Sequence, residues 1–137
     1  MTKRTRRVSV ERGESGRFAE AGAQFAQAAG LAREFEYWNA AGLLYVHAAI
    51  AFADAVSIAR RGEKSTSENH LDALALFDVA ASGLKGRDEA SEHLRRIVEE
   101  KSRVSYSGLS FRRADLEKLA RHAERFRAFA ESLLRSQ

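Results

Sequence analysis

Cysteine and proline are both absent from the 137 residues, and methionine and tryptophan occur once each. The first absence excludes disulfides, thiolate metal ligands and cysteine nucleophiles, and it suits a reducing cytoplasm. The second removes the strongest helix breaker. With Ala, Leu, Glu and Arg abundant, helices are expected throughout. No run approaches eighteen apolar residues free of polar ones, so no membrane-crossing helix is expected. The opening MTKRTRRVSV lacks the apolar core of a signal peptide. Alternating strand patterns and internal repeats are missing too. What is present, 45% hydrophobic and 31% charged residues, is the balance of one folded domain with its own core.

The formal charge of +4 has a local origin. Lys3, Arg4, Arg6 and Arg7 supply four positive charges, and the remainder holds 19 basic and 19 acidic residues. The pI of 9.8 therefore reports a basic, flexible tail over residues 1–12, ahead of a single domain over 13–137. Within the body, residues 34–84 carry three basic and seven acidic side chains, and residues 85–137 carry thirteen and nine. A basic C-terminal surface attracts phosphate, although interspersed glutamates weaken that field.

From Ser15 onward the pattern is helical. Phe18, Ala21, Phe25, Ala28 and Ala32 form one stripe at the three-then-four step. A turn is expected at 33–36. Residues 37–61 form the most apolar segment, interrupted between Ala40 and Ile58 only by His47, Asp54 and Ser57; such a helix belongs at the centre of a bundle. Arg60, Arg61 and Gly62 supply its C-terminal signal. Ser65 and Glu68 have capping-box spacing and start a third helix with Leu71, Leu74, Phe77 and Ala81 inward. A fourth is expected over 87–105, with Lys101 interrupting the stripe of Ala90, Leu94, Ile97 and Val104. A fifth, over 111–135, turns Leu116, Leu119, Ala123, Phe126, Ala130 and Leu133 to the core. The expected fold is all-α, an up-and-down bundle of four to five helices with the second at its centre.

The helix YWNAAGLLYVHAAIAFADAV, the loop GEKSTSENHLDALALF, KSRVSY, and the terminal ADLEKLARHAERFRAFAESLL together resemble the HEPN superfamily, in particular its compact single-domain bacterial proteins. The resemblance spans about residues 15–135. It implies a helical bundle without a sheet, often a homodimer about a two-fold axis. It also implies a setting among toxin–antitoxin pairs, RNA-targeting defence systems or nucleotidyltransferase partners. Many members are metal-independent ribonucleases. In them an arginine and a nearby histidine promote 2′-hydroxyl attack on the adjacent phosphate, with histidine as acid or base and arginine stabilising the phosphorane. Here Arg87 and His93 are the matching pair, with polar Asp88 after the arginine. Two departures stand out. Arg95 occupies the position where active members tend to carry tyrosine, and Asp88, Glu89 and Glu92 crowd the pair with negative charge. Acidic residues in a first helical turn also have an ordinary structural reason.

A second group is more promising for binding. His47 and Asp54, seven residues apart, share one side of the central helix. They either form a buried polar network or line a cleft with His70. Asp54 requires a partner, with Arg61, Lys64 and His70 in reach. Lys64, Ser65 and His70 surround a helix start whose free amides suit an anion, or simply cap it. Lys101 and Tyr106 match a K…Y pattern of the resembled family, to meet a phosphate and stack on a base, or to cover the core. The four histidines show no close ligand spacing, so no metal site and no cofactor is expected. His122, beside Arg121, is expected to point outward. Trp38, Phe35 and Phe111 are candidate subunit contacts. The expected function is a HEPN-like nucleotide- or RNA-binding or assembly module without catalysis. The alternative is an endoribonuclease of toxin or defence type using Arg87 and His93.

Overall fold

A computed structural model of the protein describes residues 6–66, 69–105 and 110–137. Along the chain run β1 (Arg7–Ser9), a 3-10 turn (Arg12–Glu14), α1 (Ser15–Glu34), α2 (Trp38–Arg61), β2 (Glu63–Ser65), α3 (His70–Ala80), α4 (Arg87–Glu99), α5 (Lys101–Ser105) and α6 (Arg113–Arg135). The protein is an all-α helical bundle. Helix α2 packs against α1, α3, α5 and α6, and α4 bridges α3 and α6. Phe52, Phe77, Phe126, Ile58, Leu94, Ile97 and Leu116 are the large side chains at the centre, with Phe77 and Phe126 edge to face at 5.0 Å.

By length and composition α2 could cross a membrane, yet 72% of its apolar window is buried among the other helices. It ends as its sequence requires. Gly62 adopts φ 66°, its N–H donates to Ile58 O at 2.8 Å, and Arg60 Nε donates to Ala80 O at 2.7 Å.

The structure departs from expectation in five places, each for a local reason. First, residues 7–9 are not free tail. β1 pairs antiparallel with β2, Arg7 opposite Ser65, and Arg7 Nε lies 3.1 Å from Glu63; backbone bonds from Val10 to Gly62 and from Thr66 to Arg6 extend the ribbon. A small sheet thus exists where no strand was expected, because three-residue strands are too short for an alternation signal. Second, Ser65 belongs to β2, and Asn69 caps α3, its Oδ1 accepting from Leu71 N at 3.0 Å; Glu68 lies outside the described residues. Third, the α4 segment breaks at Glu100, and α5 follows as a single short helix.

The fourth departure concerns which face of α1 is inward. Gly22 and Ala29 are its buried residues, while Phe25 is 37% exposed and Phe18 half-buried. Small residues win that face because α1 and α2 approach closely: a Cβ on Gly22 would stand 2.9 Å from the Phe52 ring. The aromatic stripe is displaced to flank the seam. Fifth, Phe111 is buried at 5% and Leu71 exposed at 55%. Phe111 therefore fills the core beside Gly42 and offers no subunit contact, whereas Phe35 stays outside, stacked on Tyr37 at 6.1 Å.

The α1–α2 approach is testable with two glycines. Gly22→Ala should destabilise the protein by about 1–3 kcal/mol through overpacking against Phe52. Gly30→Ala, on the same helix with nothing within 4 Å of a new Cβ, should stabilise it by about 0.4–1 kcal/mol. Urea denaturation of both variants checks the pair.

Candidate functional site

One side of α2 carries His47 and Asp54. Their separation of seven residues is about 10 Å along the axis. On the facing side of α1, Phe25 and Phe18 have the same heptad spacing. The result is two adjacent polar clusters along one seam, each walled by an aromatic ring.

The first cluster joins α1, α2, α3 and α5. The His47 ring lies 5.7 Å from Phe25 and 6.4 Å from His70, which it meets at 88°. Lys101 reaches both imidazoles electrostatically. Burial, reinforced by the Lys101 charge, holds both histidines below their ordinary pKa of 6.5. They are neutral at pH 7. His70 Nε2 is buried and has no hydrogen-bond partner among the described residues. Lys101 is half-buried and takes part in none of the ion pairs among the described residues. A half-buried ammonium beside a buried imidazole nitrogen that lacks a partner among the described residues is a setting that favours an anion.

The second cluster joins α1, α2 and β2. Lys64 Nζ donates to Ser65 O at 2.8 Å, sits 5.9 Å from the Phe18 ring, and acts on Asp54 across the seam. Of the three partners considered for Asp54, Lys64 is the one provided. Burial pushes the Asp54 carboxyl up to about 6, with Lys64 pulling partway back. Ser65 is buried within β2. The five residues His47, Asp54, Lys64, His70 and Lys101 thus share one side of the molecule but divide into two neutral imidazoles with a lysine and an acid–base pair. Tyr106 lies outside the described residues.

Arg87 and His93 stand apart from this seam and from each other's partners. Arg87 at the start of α4 reaches Asp78 of α3 at 3.8 Å and its own neighbour Asp88 at 3.3 Å. His93 turns toward α6, where its Nδ1 lies 2.9 Å from His122 Nδ1. His122 therefore faces a partner instead of pointing outward. Sequence spacing missed this pair because 29 residues separate the two histidines. It also missed Ser105 Oγ, a second buried atom without a partner, one turn beyond Lys101 on α5. The Lys101–Ser105 step of four was the available signal.

The fold and site define a class: an all-α bundle with a polar seam along its central helix. No family model, curated protein or solved structure matches the chain.

Asp54 gives the seam a measurable signature. Its folded pKa of about 6 stands above the ordinary 3.8, so its contribution favours folding at low pH and is lost as pH rises through 6. Asp54→Asn should stabilise the protein by up to about 3 kcal/mol at pH 7. That gain should vanish below pH 4, as read from denaturation midpoints across pH.

Proposed function

We propose that the protein is a HEPN-like binding module, without catalysis, that takes the phosphate of a nucleotide or RNA at His47, His70 and Lys101. The buried His70 Nε2, without a partner among the described residues, beside the Lys101 ammonium carries this reading. A phosphate oxygen accepts from the lysine and from an imidazole N–H, supplying the hydrogen bond the buried ring lacks. Phe25, at the rim over His47, offers a face on which a base can stack. The protein works in the cytoplasm as a homodimer, or beside a partner such as a nucleotidyltransferase or an antitoxin. The β1–β2 ribbon departs from the sheet-free bundle of the resembled superfamily, so the reading leans on the site more than on the resemblance.

The ribonuclease alternative needs Arg87 and His93 on one phosphate. Their engagement with α3 and α6 respectively disfavours it, as do the carboxylates around them.

Titration with a nucleotide and a short single-stranded RNA, followed by calorimetry, tests the proposal. Lys101→Ala and His70→Ala should each weaken binding about tenfold or more, while removal of residues 1–5, which leaves the β1–β2 ribbon whole, lowers only the salt-sensitive, sequence-blind part. Binding indifferent to both substitutions overturns the site. Cleavage of RNA that His93→Ala abolishes overturns the non-catalytic reading. The pH dependence has a fixed sign. His47 and His70 are neutral at pH 7 and gain charge as pH falls, so affinity for a phosphodiester, whose charge stays constant, should rise between pH 7 and pH 5.

A further inference from the structure

The α4–α6 contact holds a feature that the phosphate site does not use. His93 and His122 meet with ring centroids 5.2 Å apart, planes inclined at 50° and Nδ1 atoms 2.9 Å apart. One proton at most lies between two such nitrogens, so at least one Nδ1 presents a lone pair. Both rings are only partly buried and remain reachable from solvent. Burial also keeps both below the ordinary histidine pKa, so neither needs to lose charge to act as a ligand at neutral pH.

Two imidazole nitrogens on a tetrahedral ion, each about 2.0–2.1 Å from it, stand about 3.3 Å from each other. The pair needs to open by a few tenths of an ångström to reach that spacing. We propose that His93 and His122 form a two-imidazole site for a borderline divalent cation of the zinc, nickel or copper kind, clamping α4 to α6. No group of three or more His, Asp or Glu side chains suited to a metal exists among the described residues. Water therefore completes the shell, and the ion stays open to a further ligand.

The surroundings set the affinity and the selectivity. Glu89 and Glu92 favour positive charge near His93, but Glu92 is held by Arg95 and Arg96. Arg125 acts on both rings, and Lys118 and Arg96 on His122. These cations oppose a dication, so binding is modest and depends on the imidazoles' own donor strength. Magnesium and calcium, which take oxygen ligands, are excluded by the same chemistry.

The test uses the full chain stripped of metal by a chelator. Zinc or nickel should bind at one saturable site and raise the melting temperature by a few degrees. His93→Gln and His122→Gln should each weaken binding about tenfold or more, magnesium should not bind, and copper(II) should show nitrogen hyperfine structure from two imidazoles. No saturable uptake, uptake unchanged in the His93→Gln/His122→Gln double variant, or a copper spectrum with one nitrogen or none overturns the proposal. The copper spectrum of a His47→Gln/His70→Gln variant, which keeps only the α4–α6 imidazoles, separates this site from the seam's own histidine pair; loss of the two-nitrogen pattern there overturns the proposal.

Discussion

The packing of α2 on every side is the constraint from which the rest follows. A helix apolar nearly all round is stable in water only when its neighbours remove that surface from solvent. Here α1, α3, α5 and α6 do so. Close approach of α1 requires Gly22 against Phe52, and that requirement rotates the larger side chains of α1 away from the contact. Phe18 and Phe25 then border the seam where His47 and Asp54 emerge. The polar clusters and their aromatic walls are two consequences of one contact.

The second layer of the bundle is built differently. Helices α4 and α6 are strongly amphipathic, with Leu94, Ile97, Leu116, Leu119, Phe126 and Leu133 buried on one face and charges on the other. Arg33 of α1 is tied to Glu117 of α6, and Arg113 to Glu36 at the α1–α2 turn, with its guanidinium 5.1 Å from the Trp38 ring. Pairs this exposed contribute little stability each. Their effect is orientation: they hold α6 against the end of α2 where α1 turns back.

The architecture was legible because helical periodicity is a local signal carried by many residues. The inward faces of α4 and α6 follow from the 4-3 spacing alone, and the end of α2 follows from Arg60, Arg61 and Gly62. The face of α1 was not legible, because the pattern there is nearly all alanine and glycine with aromatics at heptad spacing, and only the neighbour decides which side approaches. The candidate site was legible in part for the same reason. His47 with Asp54 is a same-helix relation, and Lys64 as the partner of Asp54 follows from a short connection. His93 with His122 joins separate helices, and spacing along one chain segment carries no information about it.

The seam's ionisable groups act on stability in opposite senses. His47 and His70, with lowered pKa values, contribute stability above 6.5 that is lost as pH falls; Asp54, raised to about 6, contributes at low pH and loses it as pH rises. The two slopes therefore have opposite signs. At neutral pH the bundle loses stability by holding an acid that resists ionising, and it buries imidazole nitrogens that cost desolvation. Apolar side chains of similar size would pack that side of α2 at lower cost. A site that must receive a charged group has the opposite requirement: it keeps polar atoms dry and unpaired until the ligand supplies what they lack. His70 Nε2 meets that requirement, and half-buried Lys101 sets a positive charge beside it.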